Sequence, residues 1–172
     1  MNASYFRDLA KYNIWANGRL YAACGALPEE AYLKERPSYF GSIHKTLNHV
    51  LVADMIWMGR FLGESNGPKT LDHLLFENFD GLWAARQQQD EKILDYTISI
   101  TEQDADSILE YTDIAGTPHD APLSRCLGHF FNHQTHHRGQ VHGLLSQEID
   151  DPPSLDLMYY TLEVREEKGC KK

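Results

Sequence analysis

Four stretches of roughly twenty residues repeat apolar side chains at the spacing of an amphipathic helix, and glycine or proline cuts the chain between them. The first, about 5–25, carries Phe6, Leu9, Ala10, Tyr12, Ile14, Leu20 and Ala23 and stops at Gly25 and Pro28. The second, about 42–62, opens on Ser42, whose hydroxyl suits a helix N-cap. It sets Ile43, Leu47, Val50, Asp54, Trp57 and Phe61 on one face. Val52, Met55 and Ile56 lie on its other sides, so it is expected to be covered from more than one direction. Gly63, Gly67 and Pro68 break it, and a turn of helix is expected near 71–75. The third, about 80–98, holds Leu82, Ala85, Ile93 and Leu94 among many Gln, Asp and Glu. Residues 108–112 read as extended and run into Ala115-Gly116-Thr117-Pro118, which suits a small hairpin or an ordered crossover loop. Pro122 fits the first turn of a fourth helix, to about 147, and Asp150-Asp151-Pro152-Pro153 stops it. A short last helix is expected over about 156–168. The pattern predicts an all-α protein: one domain, 1–172, an up-down four-helix bundle with a long crossover between the third and fourth helices and a short C-terminal helix.

Six of the nine histidines fall between His119 and His142. His133 and His137 are four apart, so on a helix they lie about 40° from each other on one face. That face also carries Leu123, Cys126, Phe130, Val141 and Leu144. Two imidazoles therefore point towards the packed side, and neutral imidazole is the commonest protein ligand for a transition metal. A third ligand has to come from a facing helix. The second helix offers His44 and His49, five apart, which cannot both face one point. His49, in the middle of Leu47-Asn48-His49-Val50-Leu51, is the better placed, although its offset from the apolar face is large and periodicity alone does not turn it inwards. Three imidazoles without a carboxylate would leave open positions on a divalent ion, as catalytic sites do and structural zinc sites do not. Nitrogen ligation fits zinc, nickel, iron or copper. His129 and His136 share one flank of the same helix and could stand behind or replace a ligand. His73, His119 and His142 read as surface or loop residues. Asp54, a carboxylate on an apolar face, could orient an imidazole, pair with Arg138, or sit half-exposed at the helix edge.

Several other chemistries are excluded. A formal charge of −9 gives no basic stripe for phosphates, so nucleic acid is not an expected partner. No apolar run approaches a membrane span, and the N-terminus opens on an amphipathic segment with Asp8 rather than a signal-peptide core. Cys24, Cys126 and Cys170 are odd in number and widely spaced, which fits reduced thiols and a cytoplasmic location. A zincin needs Glu directly after the first His, and Gln134 stands there. No Ser sits in a nucleophile elbow. Cys126 reads as core rather than nucleophile.

Three segments carry a family resemblance: Tyr12-Asn13-Ile14-Trp15-Ala16-Asn17, Ser42-Ile43-His44-Lys45-Thr46-Leu47-Asn48-His49 with Trp57 behind it, and Asn132-His133-Gln134-Thr135-His136-His137-Arg138-Gly139-Gln140. In this order and over nearly the whole chain they resemble the DinB/YfiT-like family, the damage-inducible four-helix proteins unrelated to the DNA polymerase that shares the name. The resemblance implies a four-helix bundle, often a homodimer, holding a divalent metal on three histidines. Carried over to this sequence, those are His49, His133 and His137. Zinc or nickel is expected ahead of iron or manganese.

Characterised members of the wider superfamily resemble metal-dependent transferases or isomerases that act with low-molecular-weight thiols. The expected function is accordingly a metal-dependent thiol S-transferase or hydrolase on a small-molecule substrate, with Asp54, His129 or His136 as proton carriers. The competing readings are a non-catalytic, stress-associated metal-binding or sensing dimer, and a plain helical scaffold whose histidines are satisfied in the core.

Overall fold

The computed structural model describes residues 3–64 and 67–167. Four long helices form where the apolar periodicity places them: α1 (Ala3–Gly25), α3 (Ile43–Leu62), α4 (Phe79–Ser99) and α6 (Leu123–Leu145). Between them lie two short helices, α2 (Glu29–Leu33) and α5 (Glu102–Asp106), and a hairpin of β1 (Ile108–Thr112) and β2 (Pro118–Pro122). Helix α7 (Leu157–Glu167) closes the described chain. The protein is thus mostly helical with a small two-stranded sheet. No helix among the described residues is long and apolar enough to cross a membrane.

Local chemistry accounts for the boundaries. Ser42 caps α3 by accepting a hydrogen bond from the Lys45 backbone N–H, and Gly63 ends it in the left-handed conformation at φ 68°. Asn78 and Thr101 cap α4 and α5 in the same way as Ser42. The hairpin turn closes with Asp113 N–H donating to Thr117 O, and Gly116 takes φ 87°, a value that favours glycine. Pro122 ends β2 and immediately precedes α6, so it stands one position before the first turn expected for it.

The differences from the sequence reading lie in short elements. Residues 71–75 make a turn without helix. The loop from Pro28 to Ser42 contains the five-residue α2, and the crossover between α4 and α6 contains α5 as well as the hairpin. Such short pieces carry too few periodic positions to stand out from loop sequence. Lys168 and Cys170 lie outside the described residues.

Helix α1 packs on α4 and α6, and α3 packs on the same two, so α1 and α3 face each other across the centre. The apolar interior divides into two parts. Phe6, Met58, Phe61, Ile93, Leu127 and Phe130 belong to one. Leu20, Leu47, Leu51, Leu82, Val141 and Leu145 belong to the other. On each long helix a buried polar group stands between the two: Asn13 and Asn17 on α1, Asp54 on α3, Arg86 and Asp90 on α4, Gln134 and Arg138 on α6. Ionic groups are rarely this buried without partners, and the partners are present. Arg86 Nη1 lies 2.5 Å from Asp54 Oδ2, and Arg86 Nη2 lies 2.8 Å from Asp90 Oδ1. Asp54 is therefore neither half-exposed nor the direct partner of Arg138; it is 1% exposed and pairs with Arg86.

Candidate metal centre

Mid-way along α3, the capped helix turns His49 inwards, where it is buried. From α6, the 3.6-residue repeat brings His133 and His137 to the same point, the second buried and the first partly so. One ring nitrogen from each of the three lies within 4.8 Å of the others. No carboxylate among the described residues joins the group. The orientation of His49 that periodicity left open is decided by the packing of α3 on α6.

Hydrogen bonds on the far side of two rings fix their tautomers. His49 Nδ1 lies 2.9 Å from the Leu71 carbonyl oxygen, which can only accept, so Nδ1 carries the proton. His137 Nδ1 donates in the same way to Gln140 Oε1 at 2.8 Å. Both rings therefore present the bare Nε2 lone pair to the centre, the arrangement found behind metal-ligating histidines. His133 Nε2 sits 3.0 Å from His137 Nε2. Because the His137 nitrogen is a lone pair, His133 supplies the N–H of that contact. An ion 2.0–2.1 Å from each imidazole nitrogen at tetrahedral angles requires nitrogen pairs roughly 3.3–3.4 Å apart. The α6 pair is within a few tenths of an ångström of that spacing, and the donor set fits a divalent transition ion.

Electrostatics favour the metal-ready state. Burial lowers the pKa of His133 to about 3, helped by the neighbouring His137 and His49 rings. Burial also lowers His49, against the pull of its Leu71 hydrogen bond, and His137, against that of Gln140. The folded rings resist protonation where an unfolded chain's histidines begin to bind protons, near pH 6.5. These rings accordingly subtract stability as pH falls from about 6.5 towards the folded values. Zinc affinity measured by competition titration should fall less between pH 7.5 and pH 6 than it would for three ordinary imidazoles, because burial opposes protonation of all three rings. A tenfold loss over that interval would show that the rings titrate normally.

The surroundings are partly aromatic. Phe40 stacks on His49 with ring centroids 4.1 Å apart and meets His137 edge-on at 5.5 Å. A cavity of about 370 Å³ adjoins His49, lined by Tyr39, Phe40, Leu71, Leu74, Lys45 and His73 among others. A larger one, about 860 Å³, lies across α6 against α1 and the 151–157 segment and contains none of the three histidines.

The remaining histidines separate clearly. His44 is a satisfied core residue, bonded through Nδ1 to the Tyr32 hydroxyl at 2.9 Å. His129 is exposed and its ring meets that of Trp57 at a tilt of 54°, centroids 5.1 Å apart, with its ring 5.9 Å from that of His133. His136 is exposed, and its Nε2 lies 3.1 Å from the same Gln140 amide that holds His137. His73 and His119 are exposed, the latter paired with Asp113, while His142 lines the larger cavity. Cys24 and Cys126 are buried free thiols, and burial pushes both pKa values up, which suits core residues.

Sequence reasoning missed Phe40, Gln140 and the Leu71 carbonyl. Gln140 was accessible, since i,i+3 on a helix places it beside His137. A carbonyl from a loop 22 residues downstream of His49 leaves no trace in side-chain pattern.

The DinB family model matches residues 1–168. The chain belongs to the DinB family. Protein DinB of Bacillus subtilis (strain 168) is 27% identical over 170 residues, covering 94% of this chain and 96% of that protein. Among solved structures, a DinB-like protein from Bacillus cereus ATCC 10987 superimposes with a TM-score of 0.61. It is 19% identical and covers 81% of this chain and 89% of its own. That likeness supports a DinB-like fold, and the histidine cluster of this DinB family member stands on its own geometry.

Proposed function

We propose that His49, His133 and His137 bind a divalent transition metal, zinc or nickel ahead of iron or manganese, and that the protein is a metal-dependent thiol S-transferase or hydrolase. One observation carries the metal reading: three imidazoles converge, and two of them are locked with Nε2 bare. A divalent ion held by such a set supplies Lewis acidity, which lowers the pKa of a thiol or water brought to its open positions. The chain's own contribution is to hold three neutral donors, to keep carboxylates out of the set, and to cover His49 with Phe40. The cavity beside His49 offers an apolar wall and, already paired with Glu35, the Lys45 ammonium to a small substrate. Asp54 is not a proton carrier in this reading, since it is buried and committed to Arg86 and Gln134. The exposed His129 and His136 remain for that role. The scaffold is read as an up-down four-helix bundle working in the cytoplasm.

The test is turnover. Zinc- or nickel-loaded protein and its His137→Ala variant would be assayed with an electrophile and glutathione, bacillithiol or mycothiol in turn, and with water alone. Metal-dependent turnover lost in the variant supports the enzyme. Absence of metal-dependent turnover with every thiol and with water removes it.

One observation favours the non-catalytic alternative of a metal-sensing homodimer. Leu157, Met158, Tyr159 and Leu162 of α7 are 40–65% exposed, more apolar surface than a short helix ordinarily leaves in water. Sedimentation with and without metal distinguishes it, because an unchanged monomer in both states counts against a dimer.

A further inference from the structure

The polar groups between the two apolar regions form a circuit whose two ends lie one turn apart on α6. Asp54 Oδ2 on α3 accepts from Gln134 Nε2 on α6 at 2.9 Å and from Arg86 Nη1 on α4 at 2.5 Å. Arg86 Nη2 pairs with Asp90 Oδ1, one turn along α4, at 2.8 Å. The Asp90 carboxylate accepts from Asn13 Nδ2 at 2.9 Å and Asn17 Nδ2 at 3.0 Å, both on α1. Asn13 Oδ1 in turn accepts from Arg138 Nη1 on α6. Arg138 lies one turn beyond Gln134, so the path returns to α6 after touching all four long helices. Two guanidinium groups and two carboxylates make the circuit neutral overall.

Its relation to the histidines is specific. On α6, His133 immediately precedes Gln134 and His137 immediately precedes Arg138. The ligand pair and the anchor pair thus share the same four-residue spacing, offset by one residue, or about 100° around the helix. On α3, Asp54 lies five residues after His49. The Asp54–Gln134 hydrogen bond is therefore a direct polar tie between the two helices that supply the three nitrogens. Rotating α6 by about 20° would move a side-chain tip, at a radius of about 6 Å, by about 2 Å. Metal–ligand distances tolerate only about 0.2 Å. Apolar packing accepts small rotations by repacking, whereas a buried hydrogen bond is lost outright when its partner turns away.

We propose that Gln134 and Asp54 are positioning residues for the ion site, setting metal affinity by fixing the rotation of α6 against α3. The inference rests on the metal reading above. Gln134→Leu removes the tie without adding charge and leaves Asp54 on Arg86. The double variant Asp54→Leu with Arg86→Leu removes the tie together with the Asp54–Arg86 pair, and leaves Asp90 held by Asn13 and Asn17 without Arg86. Leu127→Ala, on the same helix but within an apolar region, is the control for simple loss of stability. Each protein would be titrated with Zn(II), and the Co(II)-loaded form examined by visible absorption.

Both circuit variants are expected to bind Zn(II) about 10- to 100-fold more weakly, the range seen when a residue behind the ligands is removed. Their Co(II) d–d bands should shift or lose intensity. Leu127→Ala should melt at a lower temperature yet keep wild-type affinity and bands. Folded circuit variants with unchanged affinity and spectrum would overturn the proposal, as would a Leu127→Ala variant that loses affinity to the same extent. If the wild-type protein takes up neither ion, the metal reading itself has failed and this inference falls with it.

Discussion

His137→Ala should weaken zinc binding by at least about 100-fold, beyond the usual range for a group that only supports a ligand. The substitution deletes one of three converging nitrogens and leaves two that cannot hold a divalent ion tightly against water. Alanine favours the α6 helix, and the lost ring stood beside the partly solvent-exposed His133, so the fold should tolerate the change. His44→Ala is the informative contrast. That ring is 4% exposed and bonds to Tyr32, outside the cluster, so the variant should lose some stability and keep its metal. Elemental analysis and competition titration of the two variants measure the difference. One equivalent of zinc on His137→Ala at wild-type affinity would sink the three-nitrogen site.

Arg86→Leu should destabilise the protein by about 3–5 kcal/mol at pH 7, the cost of leaving buried carboxylates without their counter-charge. Arg86 is 0% exposed and bridges Asp54 and Asp90. Burial would lower its pKa, but the two carboxylates raise it, so it is charged throughout the working range. Burial pushes Asp54 up to about 6 even with the guanidinium pulling it down. Without Arg86 that carboxyl rises further. A carboxyl whose folded pKa lies above its unfolded value binds protons more tightly when folded, so stability returns as pH falls through the folded pKa. The deficit of Arg86→Leu should accordingly be smaller at pH 5 than at pH 7 when urea unfolding is compared with the wild type at each pH. At pH 7 the melting temperature should fall by roughly 6–20 °C for a chain of this size. A loss under about 1 kcal/mol at both pH values would mean that the ion pair contributes nothing net.

The long elements were legible because each repeats its signal at least four times. Phe6, Ala10 and Leu20 on α1, or Ile43, Leu47 and Phe61 on α3, lie where the periodicity puts them, in the interior. Short α2 and α5 were not legible, since five residues give barely more than one turn of pattern. On α6 the His133–His137 pair could be read with its orientation, because Phe130, Val141 and Leu144 mark the same face as buried. His49 could not, and family resemblance rather than periodicity singled it out. The polar circuit was nearly invisible. Its i,i+4 pairs, Asn13/Asn17, Arg86/Asp90 and Gln134/Arg138, read one helix at a time as ordinary solvated positions.

Sequence by itself determined what recurs along a single helix: the extents of the four long rods, their inward faces, the caps at Ser42 and Gly63, and the two imidazoles that α6 projects together. Only the tertiary structure decided what happens between helices. It brought His49 to that pair, drew the Leu71 carbonyl onto its Nδ1, and gave Asp54 to Arg86 instead of Arg138. The physical reason is that periodicity encodes which direction a side chain leaves its own axis. Which partner it then meets depends on the rotation and register of a neighbouring helix, and those are set by the sum of all contacts at once.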